Sequence, residues 1–243
     1  MSDPNGLREA FAAVLPADWR GSIGARTLVA LILVEPWAKW IDAATLQLQP
    51  SERLRVERQR FLQHRRERTL AYVLHRLFLA ECLGCEPEAV PLRRDDLGCP
   101  CVDVPDIRTS LSHANGAIAM AMACGGPVGV DIEAATRDAA MDEIAERIWH
   151  PREAIELAPL VGPERRKALL ALWVRKEAVL KARGVGLVIE MTTFMTPIDG
   201  LTTLPQDAEP ILCRQIAAGE DWVAAVACNP LMSVEYRWLR PTG

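Results

Sequence analysis

The sequence predicts an α+β fold in which helices pack against a largely antiparallel sheet. Predicted strands and helices follow the order strand, helices, strands in each half of the chain. Asn115-Gly116 lies between two short apolar runs and is a strong hairpin signal. Gly125-Gly126-Pro127 then interrupts the pattern. We therefore expect two half-domains that meet at this break, residues 1–125 and 126–243.

The first half contains one predicted strand, one long helix and a hairpin, after an N-terminal stretch with no clear pattern. The apolar run from Thr27 to Val34 has the length of a buried strand. Apolar residues recur at helical spacing from about Arg60 to Cys82, which predicts a helix. The hairpin strands are predicted at Thr109 to Ser112 and Ala117 to Cys124.

The second half begins with a strand at Val128 to Glu133. Helices are predicted from about Met141 to Trp149 and from about Glu164 to Arg183, where Gly184 suits a helix C-terminus because glycine readily adopts the left-handed conformation. Four further strands are predicted later in the chain, at Thr192 to Thr196, Ile211 to Ile216, Trp222 to Cys228 and Ser233 to Arg237.

Composition narrows the class of protein. With 243 residues, 50% hydrophobic and 25% charged, the chain has the makeup of an ordinary globular protein. A net charge of −4 disfavours general nucleic-acid binding. The run from Thr27 to Val34 is too short to span a bilayer, and charged residues near the N-terminus disfavour a secretory signal. Because seven cysteines fit a disulfide framework poorly, we expect a cytoplasmic protein that binds neither nucleic acid nor membrane.

Three acids and a lysine stand out as candidate functional residues. Asp131 and Glu133 are two residues apart in a predicted strand, so both carboxylates point the same way. Trp173, Glu177 and Lys181 fall on one stripe of a predicted helix. Carboxylates of this kind suit Mg²⁺, which leaves coordination positions open for phosphate oxygens. The pattern indicates a phosphate-bearing substrate.

The segments around these residues resemble the signatures of a known family. Gly129 to Glu133, followed by Trp173 to Lys181, is similar to the two signature segments of the 4′-phosphopantetheinyl transferases. Ile144 to Glu153 resembles the family's connecting helix and turn, and Thr109 to His113 resembles its strand ending in Ser-His. Arg65 to Arg76 resembles its arginine-bearing helix. The resemblance covers the middle of the chain.

The resemblance implies both a fold and an activity. The long, single-chain (Sfp-type) members consist of two similar half-domains, a pseudo-dimer, and the length of this chain matches them. The implied enzyme is a holo-[acyl-carrier-protein] synthase. It would move the 4′-phosphopantetheine group from coenzyme A to a serine of an apo acyl, polyketide or peptidyl carrier protein and release adenosine 3′,5′-bisphosphate. The implied assembly state is a monomer.

The resemblance also assigns roles to the acids and the lysine. Asp131, Glu133 and Glu177 are implied as ligands of Mg²⁺, with Mn²⁺ as the alternative metal. Lys181 is implied to contact the phosphate next to pantetheine and to stabilise the transition state. Either Glu177 or Glu133 would take the proton of the carrier serine, and the sequence leaves both open.

A second group of residues is implied to bind coenzyme A. It consists of Ser112, His113 and the pair Arg68 and Thr69, together with Lys181. One position departs from the family, which usually has Gly-Lys-Pro where this chain has Gly98-Cys99-Pro100. Because a neutral thiol does not replace an ammonium near a polyanion, we expect one phosphate contact to be weakened.

Other interpretations of the same residues remain open. Asp131 and Glu133 could be exposed acids at a strand edge, and Lys181 could be a salt-bridge partner of Glu177 one helical turn away. A different Mg²⁺-dependent phosphotransferase is one rival function. A non-catalytic carrier-binding protein on the same fold is another. Ser112 with His113 lacks the context of a hydrolase triad.

Overall fold

The computed structural model describes residues 3–21, 24–95 and 98–241 and has the predicted α+β fold. Helices and strands alternate along the chain, and short 3₁₀ turns connect several of them. In chain order the helices and strands are α1 (Pro4–Val14), β1 (Arg26–Leu33), α2 (Ile41–Gln47), α3 (Pro50–Glu57), α4 (Leu62–Leu83), β2 (Leu92–Arg94), β3 (Pro100–Val102), β4 (Ile107–Ala114), β5 (Ala117–Cys124), β6 (Val128–Ala134), α5 (Met141–Ile144), α6 (Pro151–Leu157), α7 (Gly162–Arg183), β7 (Gly200–Thr202), β8 (Ile211–Ile216), β9 (Trp222–Cys228) and β10 (Ser233–Leu239).

The longer strands form two four-stranded sheets. The first has the order β10-β1-β5-β4, and the second has the order β6-β9-β8-β7. All pairings are antiparallel except that of β10 with β1, which is parallel. The last strand of the chain therefore completes the sheet built from the first half. The division at residue 125 into two half-domains stays a prediction.

Apolar residues form three clusters that order the layers. One joins α4 to the first sheet, for example Leu74 with Leu28. A second joins α7 to the second sheet, for example Val179 with Ala225. The third lies between the two sheets and includes Val130 of β6. The layers therefore follow the order helix, sheet, sheet, helix.

The alternation of β6 decides where its acids point. Val130 and Ile132 are fully buried in the cluster between the sheets. Successive side chains of a strand face opposite sides, so Asp131 and Glu133 face the side that carries α7. The two-residue period read from the sequence is confirmed, and it places both acids under the helix that bears Glu177 and Lys181.

Most predicted elements are confirmed, including the β4–β5 hairpin, where Asn115 and Gly116 have positive φ angles of 39° and 102°. The strand predicted at Thr192 to Thr196 is wrong. A 3₁₀ turn occupies 191–193, and the backbone carbonyls of this segment turn toward the buried Lys176, whose Nζ lies 2.6 Å from the oxygens of Met191 and Phe194.

Two further differences concern helices. The helix predicted from Met141 to Trp149 ends at Ile144 and continues as a 3₁₀ turn. The N-terminal stretch shows no clear sequence pattern but contains α1, whose N-cap is Asp3 and whose Leu7 and Phe11 are buried. Among the described residues, no helix is long and apolar enough to cross a membrane.

Candidate active site

Gly129 sets the distance between β6 and α7. A Cβ atom at this position would overlap the carbonyl oxygen of Ala178 and the nitrogen of Ala182, and would lie 2.9 Å from the Cα of Ala182. Only a residue without a side chain permits the helix backbone to approach this closely. The contact brings the C-terminal turns of α7 onto the strand that carries Asp131.

Asp131, Lys181 and Ser112 form one hydrogen-bonded cluster. Asp131 is 4% exposed, and its Oδ1 accepts hydrogen bonds from Lys181 Nζ at 2.6 Å and from Ser112 Oγ at 2.7 Å. Lys181 Nζ also lies 2.8 Å from Ser112 Oγ. The other carboxylate oxygen, Oδ2, is buried and has no hydrogen-bond partner among the described residues. The cluster therefore has one acceptor to spare.

The cluster lies where the two sheets meet. The backbone N–H of Val130 in β6 donates to Ser110 Oγ in β4 at 3.1 Å, which ties the edge strands of the two sheets together. A cleft of about 770 Å³ opens beside this seam. Residues from both parts of the sequence line the cleft. Arg94, Cys99 and Ser110 come from the first part, and Lys181 comes from α7. This volume is in the range of small-molecule sites.

The two remaining acids differ in their partners. Glu133 forms an ion pair with Arg137, whose guanidinium also stacks over the Trp173 ring at 5.0 Å from its centroid. Burial raises the pKa of Glu177 above its ordinary value, and the negative charge of Asp131 raises it further. Glu177 therefore lies near enough to Asp131 for the two charges to repel each other.

Comparison with known proteins finds similarity to one family. The family model described as "4′-phosphopantetheinyl transferase superfamily" matches residues 127–227, which contain the three acids and Lys181. The 4′-phosphopantetheinyl transferase HetI of Nostoc sp. is 29% identical over 191 residues, 76% of this chain and 79% of HetI. The part of the chain that carries the three acids and Lys181 therefore matches the 4′-phosphopantetheinyl transferase superfamily.

Another relative and one solved structure align over smaller parts of the chain. The 4′-phosphopantetheinyl transferase gsp of Aneurinibacillus migulanus is 32% identical over 126 residues, 51% of each chain. Among solved structures, a holo-(acyl-carrier-protein) synthase from Bacillus anthracis in complex with CoA (3′,5′-ADP) is 19% identical. It aligns with a TM-score of 0.36 and covers 42% of this chain and 93% of that one.

A group of cations surrounds His113 in the transferase. Burial lowers the pKa of His113 from its ordinary 6.5 to about 4, and the charges of Arg68, Lys181 and Arg94 lower it further. His113 is therefore neutral at pH 7, and the positive charges near it favour binding of an anion. Arg68 Nε, and Arg94 Nε and Nη2, are buried without hydrogen-bond partners among the described residues.

Thr69 and Cys99 lie in different surroundings from His113. Thr69 is buried in α4, and within the described ranges no hydrogen bond joins it to Ser112, His113 or Lys181. Cys99 lines the cleft, and burial raises the pKa of its thiol, while the positive charges of Lys181 and Arg94 oppose this shift. Two cations therefore lie near the position where the family usually has a lysine.

The residues present fit a divalent cation by their chemistry. Three carboxylates are the ligands that Mg²⁺ prefers, and the unpartnered Oδ2 of Asp131 is a ready acceptor. In the part of the chain that the structure describes, however, no three His, Cys, Asp or Glu side chains converge closely enough to enclose a metal. Lys181 and Arg137 contact carboxylate oxygens of Asp131 and Glu133 instead. Protein cations balance the acid charges in this conformation.

Four residues of the site make contacts that are not predicted from the sequence. Gly129 was part of a motif, but its contact with α7 is visible only in three dimensions. Ser110, Arg94 and Arg137 gave no separate signal either. Ser110 does repeat the period of Ser112 on β4, and the alternation of that strand points both hydroxyls the same way. That alternation is the signal that could have found it.

Proposed function

We propose that this transferase moves the 4′-phosphopantetheine group from coenzyme A to the serine hydroxyl of an apo acyl, polyketide or peptidyl carrier protein. The serine oxygen attacks the β-phosphate and forms the new phosphoester. The bond between the β-phosphate and the bridging oxygen breaks, and adenosine 3′,5′-bisphosphate leaves. The observation that carries this proposal is the cluster of Asp131, Lys181 and Ser112 at the cleft, with Glu177 beside it.

Positive charge at the cleft supports a polyanionic substrate. Arg68 and Arg94 each carry buried guanidinium nitrogens without partners, and His113 lies among them. A guanidinium forks onto phosphate oxygens with two parallel hydrogen bonds. In this proposal, these three groups bind the phosphates of coenzyme A. Ser112 donates its hydroxyl hydrogen to Asp131 in the present conformation and would redirect it to a phosphate oxygen. Thr69 belongs to the same proposed set and is buried in α4.

Lys181 is assigned to the phosphate that is transferred. Its side chain is 26% exposed and lines the cleft, while its ammonium remains hydrogen-bonded to Asp131. A positive charge held in place stabilises the negative charge that develops on the phosphate in the transition state. Lys176, by contrast, is fully buried against Glu153 at 2.7 Å, and its role is structural.

The proton of the carrier serine passes to a carboxylate. Glu177 and Glu133 remain the two candidates. Glu177 has a pKa raised by burial and by Asp131, which makes its carboxylate the stronger base, and Glu133 is held by Arg137. These observations favour Glu177.

Asp131, Glu133 and Glu177 would hold Mg²⁺, or Mn²⁺ as the alternative. When bound, the cation would neutralise charge on the pyrophosphate of coenzyme A. The recorded contact of Glu133 with Arg137 uses Oε1, so Oε2 is the oxygen that Glu133 would offer to the cation, and binding would give the unpartnered Oδ2 of Asp131 a partner.

The setting is part of the same proposal. All seven cysteines are free thiols, which suits a reducing cytoplasm. A monomer is proposed because both sides of the cleft come from one chain. Carrier proteins would approach the open side of this cleft.

Incubation of the purified protein with coenzyme A, Mg²⁺ and a panel of apo carrier proteins tests the function. The expected result is a gain in carrier mass equal to one phosphopantetheine arm, dependent on both coenzyme A and Mg²⁺. Release of phosphate to another acceptor, with every carrier unmodified, would favour a different phosphotransferase. Carrier binding without any transfer would favour a non-catalytic protein.

A further inference from the structure

A second cavity lies on the other side of α7 from the active site. It measures about 480 Å³ and is enclosed by α6, α7 and the segment 195–198. Its apolar lining includes Leu157, Leu160, Ala168, Ala171, Leu172 and Ile198. Arg175 also lines it. Because Arg175 and Glu177 are two residues apart on a helix, their side chains point about 200° apart.

Arg175 is a buried arginine that forms no ion pair with any residue the structure describes. It is 7% exposed, and its Nε donates to the carbonyl oxygen of Thr196 at 2.9 Å. Within the described ranges, its two terminal nitrogens have no hydrogen bond and no carboxylate lies within ion-pair distance. The other buried cations differ in this respect, because Arg76 pairs with Glu52 and Lys176 with Glu153.

An unpaired buried charge calls for a physical explanation. Buried charges are normally paired, since burial without a partner costs several kcal/mol. Burial lowers the pKa of Arg175, which is the same cost expressed as a shift. An arginine that lines a cavity, and whose two terminal nitrogens have no hydrogen bond to a described residue, has the properties of an anion site.

Thr196 supplies a second, independent observation. It is 1% exposed and lines the same cavity, and its Oγ1 is buried without a hydrogen-bond partner among the described residues. Two acids also line the cavity. Lys176 balances the charge of Glu153, which accepts from Lys176 Nζ at 2.7 Å and from the backbone N–H groups of His150 and Thr196. Glu156 is exposed to solvent, and the cation of Lys167 lies in the same lining.

The geometry points to a second binding site here, for a compact carboxylate with an apolar body. The guanidinium of Arg175 would take the two carboxylate oxygens in a forked pair of hydrogen bonds, and Thr196 Oγ1 would donate a third. The apolar lining would cover an aliphatic or aromatic body. This site is independent of the transfer reaction, since it shares no lining residue with the catalytic cleft.

Titration calorimetry with hexanoate tests the site. Hexanamide keeps the shape and removes the charge, acetate keeps the charge and removes the apolar body, and inorganic phosphate supplies a compact anion. We expect saturable one-to-one binding of hexanoate by the full chain, and binding of the other three at least about tenfold weaker. A tenfold change corresponds to about 1.4 kcal/mol.

Two variants locate the binding. Arg175→Met should weaken hexanoate binding at least about tenfold, because a charge-assisted pair is lost. Arg152→Met makes the same charge change at an exposed position of α6 that does not line the cavity, and it should leave the affinity within about twofold.

Ala168→Phe keeps Arg175 and fills the cavity, so it should abolish binding even if Arg175→Met fails to fold. The proposal is overturned if wild type shows no saturable binding, if hexanamide binds as tightly as hexanoate, or if Arg175→Met binds like wild type. Unchanged binding by Ala168→Phe would overturn it too.

Discussion

Asp131 is the residue on which the active site depends most. Its Oδ1 joins Lys181 and Ser112, while Oδ2 is buried and unpartnered. A carboxylate buried in this way is stable only because Lys181 lies 2.6 Å away. The same arrangement prepares it for a second cation. The fold requires a cation beside the buried carboxylate of Asp131, and Lys181 supplies it. The proposed function requires the same carboxylate to bind a metal cation as well.

His113 makes a testable difference to acid stability. Its pKa is about 4 in the folded protein and about 6.5 when unfolded, so below pH 6.5 the unfolded state binds the proton more tightly. Stability from this residue is complete above pH 6.5 and is lost as pH falls toward 4. When the pH is lowered from 7 to 4.5, we expect the free energy of unfolding to fall by about 2 kcal/mol less in His113→Gln than in wild type.

Urea unfolding at the two pH values measures this difference. The exposed His64→Gln is the matched control, and its loss should equal that of wild type. An equal loss in His113→Gln would show that His113 does not lie among the cations as described.

At the scale of elements, the contact of β6 with α7 holds the site together. Gly129 permits the contact, and its replacement by alanine should push α7 off the strand, since the new Cβ would overlap the backbone of Ala178 and Ala182. We expect Gly129→Ala to lower the free energy of unfolding by about 3 kcal/mol and to abolish transfer.

Gly6→Ala is the control for this change, because Gly6 lies in α1 with only Trp40 Nε1 near, at 3.9 Å. That variant should be slightly more stable, by about 0.5 to 1 kcal/mol. Chemical denaturation measures both. A Gly129→Ala variant as stable and active as wild type would show that the close approach is not required.

The sequence predicted those parts of the site that depend on local spacing. The two-residue period placed Asp131 and Glu133 on one face, and the helical period placed Glu177 and Lys181 on one stripe. Local spacing in the sequence does not predict contacts between distant segments. Ser112 and Asp131 lie 19 residues apart on strands of different sheets, and the pairing of Glu133 with Arg137 depends on how the chain turns after β6.

Elements without a clear period were also missed. α1 has only two buried residues, which is too few to stand out in an 18-residue window. The segment from Thr192 to Thr196 was predicted as a strand, but Lys176 binds carbonyl oxygens of Met191 and Phe194, and a ladder does not form there.

At the scale of the whole molecule, β10 closes the first sheet. It pairs with β1 in parallel from Ser233 to Leu239, and Glu235 accepts a hydrogen bond from Trp19 Nε1 at 3.1 Å. Parallel pairing of strands so distant in sequence is not visible in a local pattern. The C-terminal segment therefore contributes to the fold of the N-terminal part.

Deletion of residues 233–243 should leave the protein largely unfolded or insoluble, because it removes β10 and exposes the edge of β1. Deletion of residues 241–243 alone, beyond β10, should change little. Soluble yield and circular dichroism compare the two. A well-folded product of the longer deletion would contradict the structural role of β10.

The central claim is that Asp131 is part of the transfer site. The direct test is the rate at which Asp131→Asn modifies an apo carrier at saturating coenzyme A and Mg²⁺. Asparagine keeps the shape and removes the charge, so we expect a loss of at least about a hundredfold. Asp103→Asn, the same change at a half-exposed acid that lines the same cleft, should retain wild-type activity. Wild-type turnover by Asp131→Asn would contradict the account.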